Sequence, residues 1–576
     1  MTGKSSAPEG GGAVAYTSEP ESRLRALWRD VLGADEAPER VSFFSAGGDS
    51  VKAVKLIARV NREFGIRLEL REIFSHSSFE EFAAQVSAQR RETQMDHPGN
   101  PVAELGQLRP SPMQERRLRH TLRAAKEGQL LSNWLCGLVC ELEAAVTDEV
   151  IEGAINALVA RHDALRAGFR FTPDGEIGEL FVLPTATVEL NRVLLSDGSP
   201  SVRSQLILQH AAETLDAHLP LSEPPLMCAR LCRFSKDHAV LIMAIEHLVC
   251  DGTSLDLIFD DLAAALSGTL AESRPALQYS EWVRRQHSQL TGPRRDDLLA
   301  FWRGALKGTL PYPDLGLPVP PPGSQVQGRS ESMPGPAQSD LRRNIPGHGA
   351  SGPLPADLAE DQVLRFMAAD LNLARTTLGP LGITIFMAMM SCIARAWQIV
   401  TDHNEIVIHT PVDNRSMSDA DTVVGWLAHA VVLRIPLNRE QLSWADRLSA
   451  VRDHVLDALA HQELPLSEVI KDLQPEVYNP GPRKARLFYR YNNARRRRLP
   501  ITGGVMSDWA PAEDFVRADA GISFLATEDH DGCTVRLVYD TGGVDASFVK
   551  ALRSHIDEAW QDLLSAVAAP RPADQK

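Results

Sequence analysis

Two short stretches carry residue types at spacings that can do chemistry. In Gly47-Gly48-Asp49-Ser50, two glycines let a partner approach the backbone closely, and a serine stands where an amphipathic run begins. A helix N-terminus offers free N–H groups and the positive end of a dipole, a setting that favours an anion such as phosphate. Ser50 there suits a phosphodiester-linked prosthetic arm; the alternative is that Ser50 only caps the helix. The second stretch, Glu246-His247-Leu248-Val249-Cys250-Asp251-Gly252, follows a hydrophobic run and precedes another helix. Histidine is the usual proton handler near neutral pH, and His247 would stand on the loop at the end of a strand. Asp251, four residues on, could fold back and fix that loop by pairing with an arginine. The alternative is a satisfied structural histidine. Two CxxxC pairs, Cys136/Cys140 and Cys228/Cys232, have the residue type for a metal. Both sit in apolar, strand-like runs where cysteine acts as a small hydrophobe, and their spacing is not that of a zinc site, so no metal is expected.

The elements that must position these residues are legible in outline. Residues 1–20 are polar and Gly-rich and read as a flexible leader. Over 21–90, Leu24, Leu27, Trp28, Val31 and Leu32 form one helical stripe, and Val51, Val54, Leu56, Ile57 and Val60 form a second that ends at Gly65. A short segment and a last helix complete a small all-α bundle. Residues 91–106 are polar with Pro and Gly and read as a linker. From 107 onward strands and helices mix. Runs such as HAVLIMAIE, NEIVIHTPV, HAVVLRIPL and CTVRLVYDT read as strands, and TSLDLIFDDLAAAL reads as a helix capped by Thr253 or Ser254. This part, 107–576, is an α+β unit with two expected lobes, about 107–275 and 276–576. Residues 312–360 are rich in Pro, Gly and Ser and read as an exposed excursion.

Composition excludes several classes. The 576 residues are 44% hydrophobic and 23% charged, as in ordinary globular domains. Lys and Arg number 60 against 75 Asp and Glu, for a formal charge of −15, which argues against bulk nucleic-acid binding. Seven scattered cysteines suit a reducing compartment. The longest apolar run, Ile383 to Ala394, is too short to span a bilayer, which needs about 20 apolar residues. No secretory signal is visible, so the expectation is a cytoplasmic protein with no membrane partner.

The residues around Ser50, VSFFSAGGDSVKAVKLIARVNREFGIRLELREIFSHSS, closely resemble the peptidyl carrier (thiolation) domains of nonribosomal peptide synthetases. The resemblance implies 4′-phosphopantetheine on Ser50, with Asp49 and Gly48 beside it. EHLVCDG resembles the HHxxxDG motif of condensation domains, members of the chloramphenicol-acetyltransferase-like superfamily. SPMQERR, RHDALRAGF, YSEWV, TPVDNR, VVGWLAHAVVLR, HQELPLSEV and LFYRYNNA resemble further motifs of that family in the family's order. The implied architecture is multidomain: a four-helix carrier bundle followed by a condensation domain of two chloramphenicol-acetyltransferase-like lobes. The resemblance puts catalysis on His247 and Gly252, and a structural ion pair on Asp251 and Arg415. It places Glu246, His429, Tyr491 and Asn492 near the substrate tunnel. Three of these depart from the family pattern: Glu246 replaces its first histidine, His429 an asparagine and Tyr491 a glutamine. His162 and His461 belong to motifs that hold the scaffold in the family.

The resemblance implies that an acyl group held as a thioester on the Ser50 arm passes to an amine, forming an amide. Ester formation with a hydroxyl acceptor is one alternative. A non-catalytic condensation-like platform that recruits partner enzymes is the other. The implied partners are a phosphopantetheinyl transferase, a trans-acting adenylation enzyme or upstream module to charge Ser50, and an acceptor that is a free amine or sits on another carrier protein.

Overall fold

The computed structural model describes residues 19–33, 40–92, 108–126, 134–172, 176–196, 198–270, 277–318, 363–415, 419–437, 442–478, 485–493, 497–508, 521–539 and 543–568. Residues 1–18 of the expected leader, most of the linker and most of the Pro-rich excursion lie outside the described residues; residues 19 and 20 belong to the first helix.

The first unit packs α1 (Glu19–Leu32), α2 (Ser50–Phe64), α3 (Leu70–Ser75) and α4 (Phe79–Glu92). The stripe Leu24, Trp28, Val31 and Leu32 faces inward on α1, where Trp28 meets the edges of Phe43 and Phe79 at 5.1 and 5.5 Å. Helix α2 stops at Gly65, whose φ of 64° is the left-handed conformation that a C-terminal glycine supplies at least cost.

The second unit opens with α5 (Pro112–Lys126), β1 (Leu135–Ala144), α6 (Asp148–Arg161), β2 (Ala167–Phe171), β3 (Ile177–Val182), β4 (Leu190–Leu194), α7 (Pro200–Leu215), β5 (Met227–Arg233), β6 (His238–Glu246) and α8 (Gly252–Leu266). It continues with α9 (Tyr279–Gln289), α10 (Pro293–Ala305), β7 (Val363–Met367), α11 (Ala368–Leu378), α12 (Ile385–Val400), β8 (Glu405–Val412), β9 (His429–Pro436), α13 (Trp444–Ala460), α14 (Leu466–Leu473) and α15 (Pro475–Tyr478). It closes with β10 (Arg486–Asn493), β11 (Arg498–Ile501), β12 (Gly504–Asp508), β13 (Gly521–Glu528), β14 (Gly532–Tyr539) and α16 (Ala546–Ala568). Two six-stranded sheets result, in the orders β11-β12-β1-β6-β5-β4 and β7-β14-β13-β10-β8-β9. Each has its own hydrophobic core. The apolar run at 383–394 is largely α12, buried along most of its length. Among the described residues no single helix is long and apolar enough to cross a membrane.

The lobes are not the two contiguous halves expected from the sequence. The hairpin β11–β12 leaves the second half and pairs antiparallel with β1, covering an edge that would otherwise present unpaired backbone groups. Residues 420–427 likewise pack into the first lobe's core through Ala420, Val423, Val424, Trp426 and Leu427.

The carrier bundle docks on the second lobe. Phe74 of α3 closes on Gly382, where an added Cβ would come within 3.0 Å of the Phe74 carbonyl. Ser42 Oγ donates to the Gly379 carbonyl at 3.1 Å. Three arginines complete the contact: Arg59 to Asp421 at 3.0 Å, Arg62 to Asp419 and Asp421 at 3.0 and 3.2 Å, and Arg71 to Asp457 at 2.6 Å.

Candidate active site

Ser50 is the first residue of α2, but it is not the cap. Asp49 takes that role, accepting the Lys52 N–H at 2.8 Å, which leaves the Ser50 hydroxyl free of the helix. Burial raises the Asp49 carboxyl above its ordinary range, against the pull of the Lys52 N–H and charge. The two glycines serve different ends. Gly47 has a φ of 94° and open space around it. Gly48 lies against the Phe43 ring, which an added Cβ would reach at 2.3 Å, so its missing side chain serves packing within the carrier rather than approach by a partner. Ser50 is 8% exposed, with Oγ 3.4 Å from Thr384 Oγ1 at the start of α12. A cavity opens beside it, lined by Phe44, Gly48, Asp49, Thr384, Tyr491 and Glu528. A hydroxyl not used in capping, next to a cavity that both domains line, fits a covalently attached arm.

His247 opens the loop after β6. From Ala239 to Asp251 it is the one residue that is not buried, so the loop is packed rigidly and exposes a single functional side chain. Its N–H donates to the Trp134 carbonyl at 2.8 Å, and its Nδ1 is buried with no hydrogen-bond partner. Burial pushes its pKa below the ordinary histidine range, Asp251 opposes that shift and Arg117 adds to it, so the ring is neutral at physiological pH.

Asp251 anchors the loop. It is the N-cap of α8, in place of the Thr253 or Ser254 cap expected from the sequence, and its Oδ1 accepts from Ser254 N–H and Oγ at 2.9 and 2.7 Å. Its Oδ2 accepts the N–H groups of Leu427 and Ala428, both at 2.9 Å. Arg415 reaches both oxygens, at 2.9 and 3.0 Å, and also pairs with Asp413. Burial alone would raise the Asp251 carboxyl; the Arg415 charge and the donors from Arg415, Ser254 and Ala428 hold it below the ordinary carboxylate range. Both Asp251 oxygens are satisfied, whereas the buried Nε of Arg415 has no hydrogen-bond partner. Gly252 begins α8 exposed, with nothing within 4 Å of the position of a Cβ, so the space beside it is open.

The four residues placed near the tunnel separate. Glu246 is 7% exposed; burial pushes its carboxyl up to about 7, against the Arg117 charge and the N–H groups of Leu248 and His247. Tyr491 lines the cavity beside Ser50 and its hydroxyl donates to Glu528. Asn492 follows it on β10 and, by strand alternation, faces the other side of the sheet. For His429 the tunnel placement is corrected. It is 6% exposed, with Nδ1 3.0 Å from the Ala430 carbonyl and Nε2 2.7 Å from the Gln462 carbonyl; the single N–H of the neutral ring donates to one of them, and the ring is packed where β9 meets the loop before α14. His162 bonds Asp261 at 2.8 Å, and His461 bonds the Asp457 carbonyl at 2.7 Å and stacks on Phe301. Neither faces His247.

Sequence reasoning missed three residues that touch the His247 loop. Gln114 exchanges bonds with Ser111 in a capping box and donates to the Leu248 carbonyl at 2.6 Å. The SPMQ spacing held that signal. Trp134 stacks on the His247 ring, and Trp426 closes the corner, with centroids at 3.9 and 5.3 Å. No spacing in the sequence links these indoles to the histidine.

The condensation-domain family model matches residues 106–340 and 351–481, and the phosphopantetheine attachment site model matches residues 22–86. Surfactin synthase subunit 1 of Bacillus subtilis strain 168 is 25% identical over 561 residues, covering 95% of this chain and 14% of that protein. Phosphinothricin tripeptide synthetase PhsC of Streptomyces viridochromogenes is 30% identical over 343 residues, covering 58% of this chain and 28% of that protein. The chain thus spans a small part of the curated relatives it matches. Among solved structures, SgcC5 of Streptomyces globisporus has a TM-score of 0.59 at 19% identity, over 80% of this chain and 100% of that one. The teicoplanin X-domain in complex with OxyB has a TM-score of 0.60 at 17% identity, over 82% and 96%. At such identities these structures show the shared fold. The chain belongs to the condensation-domain family, and ahead of that domain it carries the phosphopantetheine attachment site of a nonribosomal peptide synthetase carrier.

Proposed function

We propose that this chain transfers an acyl group carried on Ser50 to an amine, forming an amide. The observation that carries the reading is the docked carrier: the residues just before Ser50, Gly47 to Asp49, line a cavity together with the condensation domain, while His247 alone emerges from an otherwise buried loop of that domain. When bound, 4′-phosphopantetheine holds the acyl group as a thioester and presents it at the end of an arm.

The chain's own residues then supply position and a proton acceptor. Docking through Arg59, Arg62 and Arg71 keeps the donor at high effective concentration, on the order of millimolar for a short tether. Holding donor and amine in one site removes much of the entropic barrier. His247 enters the reaction neutral and can therefore accept the proton the amine loses as it attacks, then return it to the thiolate released when the thioester C–S bond breaks. Asp251 and Arg415 keep the loop in place without touching the reactants. The Gly252 N–H, at the start of α8 beside open space, is the donor available to a developing oxyanion.

The test is single-turnover mass spectrometry on acyl-loaded protein with candidate amines and alcohols. His247→Ala should lower amide formation by at least about a hundredfold, in line with loss of a general base, while Ser50 still gains the pantetheine mass. Undiminished turnover in His247→Ala, at saturating acceptor, sinks the assignment. Acyl loss only to alcohols replaces amide by ester formation. Loss to neither, with tight binding of a partner enzyme, makes the domain a recruitment platform.

A further inference from the structure

His247 sits in a corner made by two indoles. Trp134 is stacked on it, with centroids 3.9 Å apart and planes inclined by 22°. Trp426 meets the ring at 64° and 5.3 Å, and the two indoles meet each other at 85° and 5.0 Å. Trp134 is itself held from two sides. Its carbonyl accepts the His247 N–H, and the Arg117 guanidinium of α5 lies 5.0 Å from its ring centroid. The indole and the imidazole therefore form one unit at the end of β6.

A base that accepts a proton must carry a positive charge until the proton leaves. In many sites a carboxylate bonded to the far ring nitrogen stabilises that charge. Here Nδ1 has no partner, and both oxygens of Asp251 are committed to Arg415, Ser254, Leu427 and Ala428. The backbone carbonyls of His247 and Cys250 and the charge of Asp251 on α8 favour protonation of the ring, and Arg117 on α5 opposes it; Glu246 precedes it on β6. An aromatic face attracts a cation within about 6 Å of its centroid, and most strongly for tryptophan. With no carboxylate bonded to the ring, the stacked indole adds to Asp251 and those carbonyls in favouring the charged ring over the neutral one.

We propose that Trp134 is a positioning residue for His247: its indole face fixes the plane of the imidazole and stabilises the protonated form. The consequence for turnover rests on the function proposed above; the stacking itself does not.

The experiment uses the full chain with 13C-labelled histidine, and the His247 resonance is assigned by its loss in His247→Gln. Trp134→Phe keeps an aromatic face and should leave the titration midpoint within about 0.3 units of the parent, whereas Trp134→Leu should lower it by roughly half to one and a half units. Trp134→Met is the second aliphatic variant should the leucine protein fail to fold. A midpoint that stays or rises in the aliphatic variant overturns the proposal. In turnover, the acid limb of the kcat profile should move down by the same amount in Trp134→Leu and stay in Trp134→Phe; a limb that ignores the NMR shift overturns the consequence for turnover. Turnover that survives in His247→Ala sinks the functional reading and leaves the NMR result to decide the stacking.

Discussion

Glu246 shows how one side chain's setting decides its chemistry. Neighbours on a strand point to opposite faces, yet Glu246 and His247 both feel Arg117. Burial dominates and lifts the Glu246 carboxyl to about 7 from a starting 4.5. The folded state therefore holds a proton there that the unfolded chain has already released, so stability falls as pH rises through 4.5 to 7. Glu246→Gln removes that dependence. Its Tm should exceed the parent's at pH 8, by the equivalent of about 3 kcal/mol at most, and the two should converge near pH 4.5. Thermal unfolding at both pH values checks this, and a constant offset between the proteins would count against a proton held at Glu246. At this scale a residue's type was legible and its partner was not, as His429 shows by lying between two backbone carbonyls.

Two helices in the molecule start in the same way. Asp49 and Asp251 both cap with extended backbone, at φ −130° and −133°, and both accept the N–H three residues on. They differ in what else they hold. Asp49 faces Lys52 within its own helix, whereas Asp251 ties α8 to the segment between β8 and β9 through Arg415, Leu427 and Ala428. Asn is as good a cap as Asp, so Asp→Asn isolates the charge. Asp251→Asn leaves the Arg415 guanidinium buried without its bidentate partner and should cost about 3–5 kcal/mol in urea unfolding, together with most of the activity. Asp49→Asn should cost less than about 1 kcal/mol. Equal costs would show that the ion pair adds nothing beyond the cap. The helices themselves were readable because their apolar stripes repeat every three to four residues. Their caps were read one to three residues late, since Asp, Ser and Thr all satisfy the N-cap pattern.

The whole molecule holds its carrier in a state that hides the residue to be modified. With Ser50 8% exposed against Thr384, a phosphopantetheinyl transferase cannot reach the hydroxyl until the bundle lifts away. The contact rests on charge: Arg59 and Arg62 converge on Asp421, which is nearly buried and lies two residues before Val423, an acceptor for Arg415. Reversing that charge in Asp421→Lys removes two ion pairs, about 1–2 kcal/mol, and should speed loading of Ser50 roughly five- to thirtyfold. The rate of the pantetheine mass gain measures it, and salt at about 0.5 M should bring the parent towards the variant. Loading at the parent's rate in Asp421→Lys would show that Ser50 is reached without undocking.

What the amino-acid order determined by itself was local and periodic: the GGDS turn before α2, the EHLVCDG loop after β6, the apolar stripes of α1 and α2, and several strands of each sheet. These follow from backbone preferences and from spacings of two to four residues, which a linear reading can see. Only the tertiary structure decided that β11–β12 crosses to the first lobe, that two indoles enclose His247, and that Arg59 meets Asp421 across 362 positions. Each of these depends on which distant surfaces remove the most apolar area and satisfy the most buried polar groups together, a sum over the whole fold that no short stretch contains.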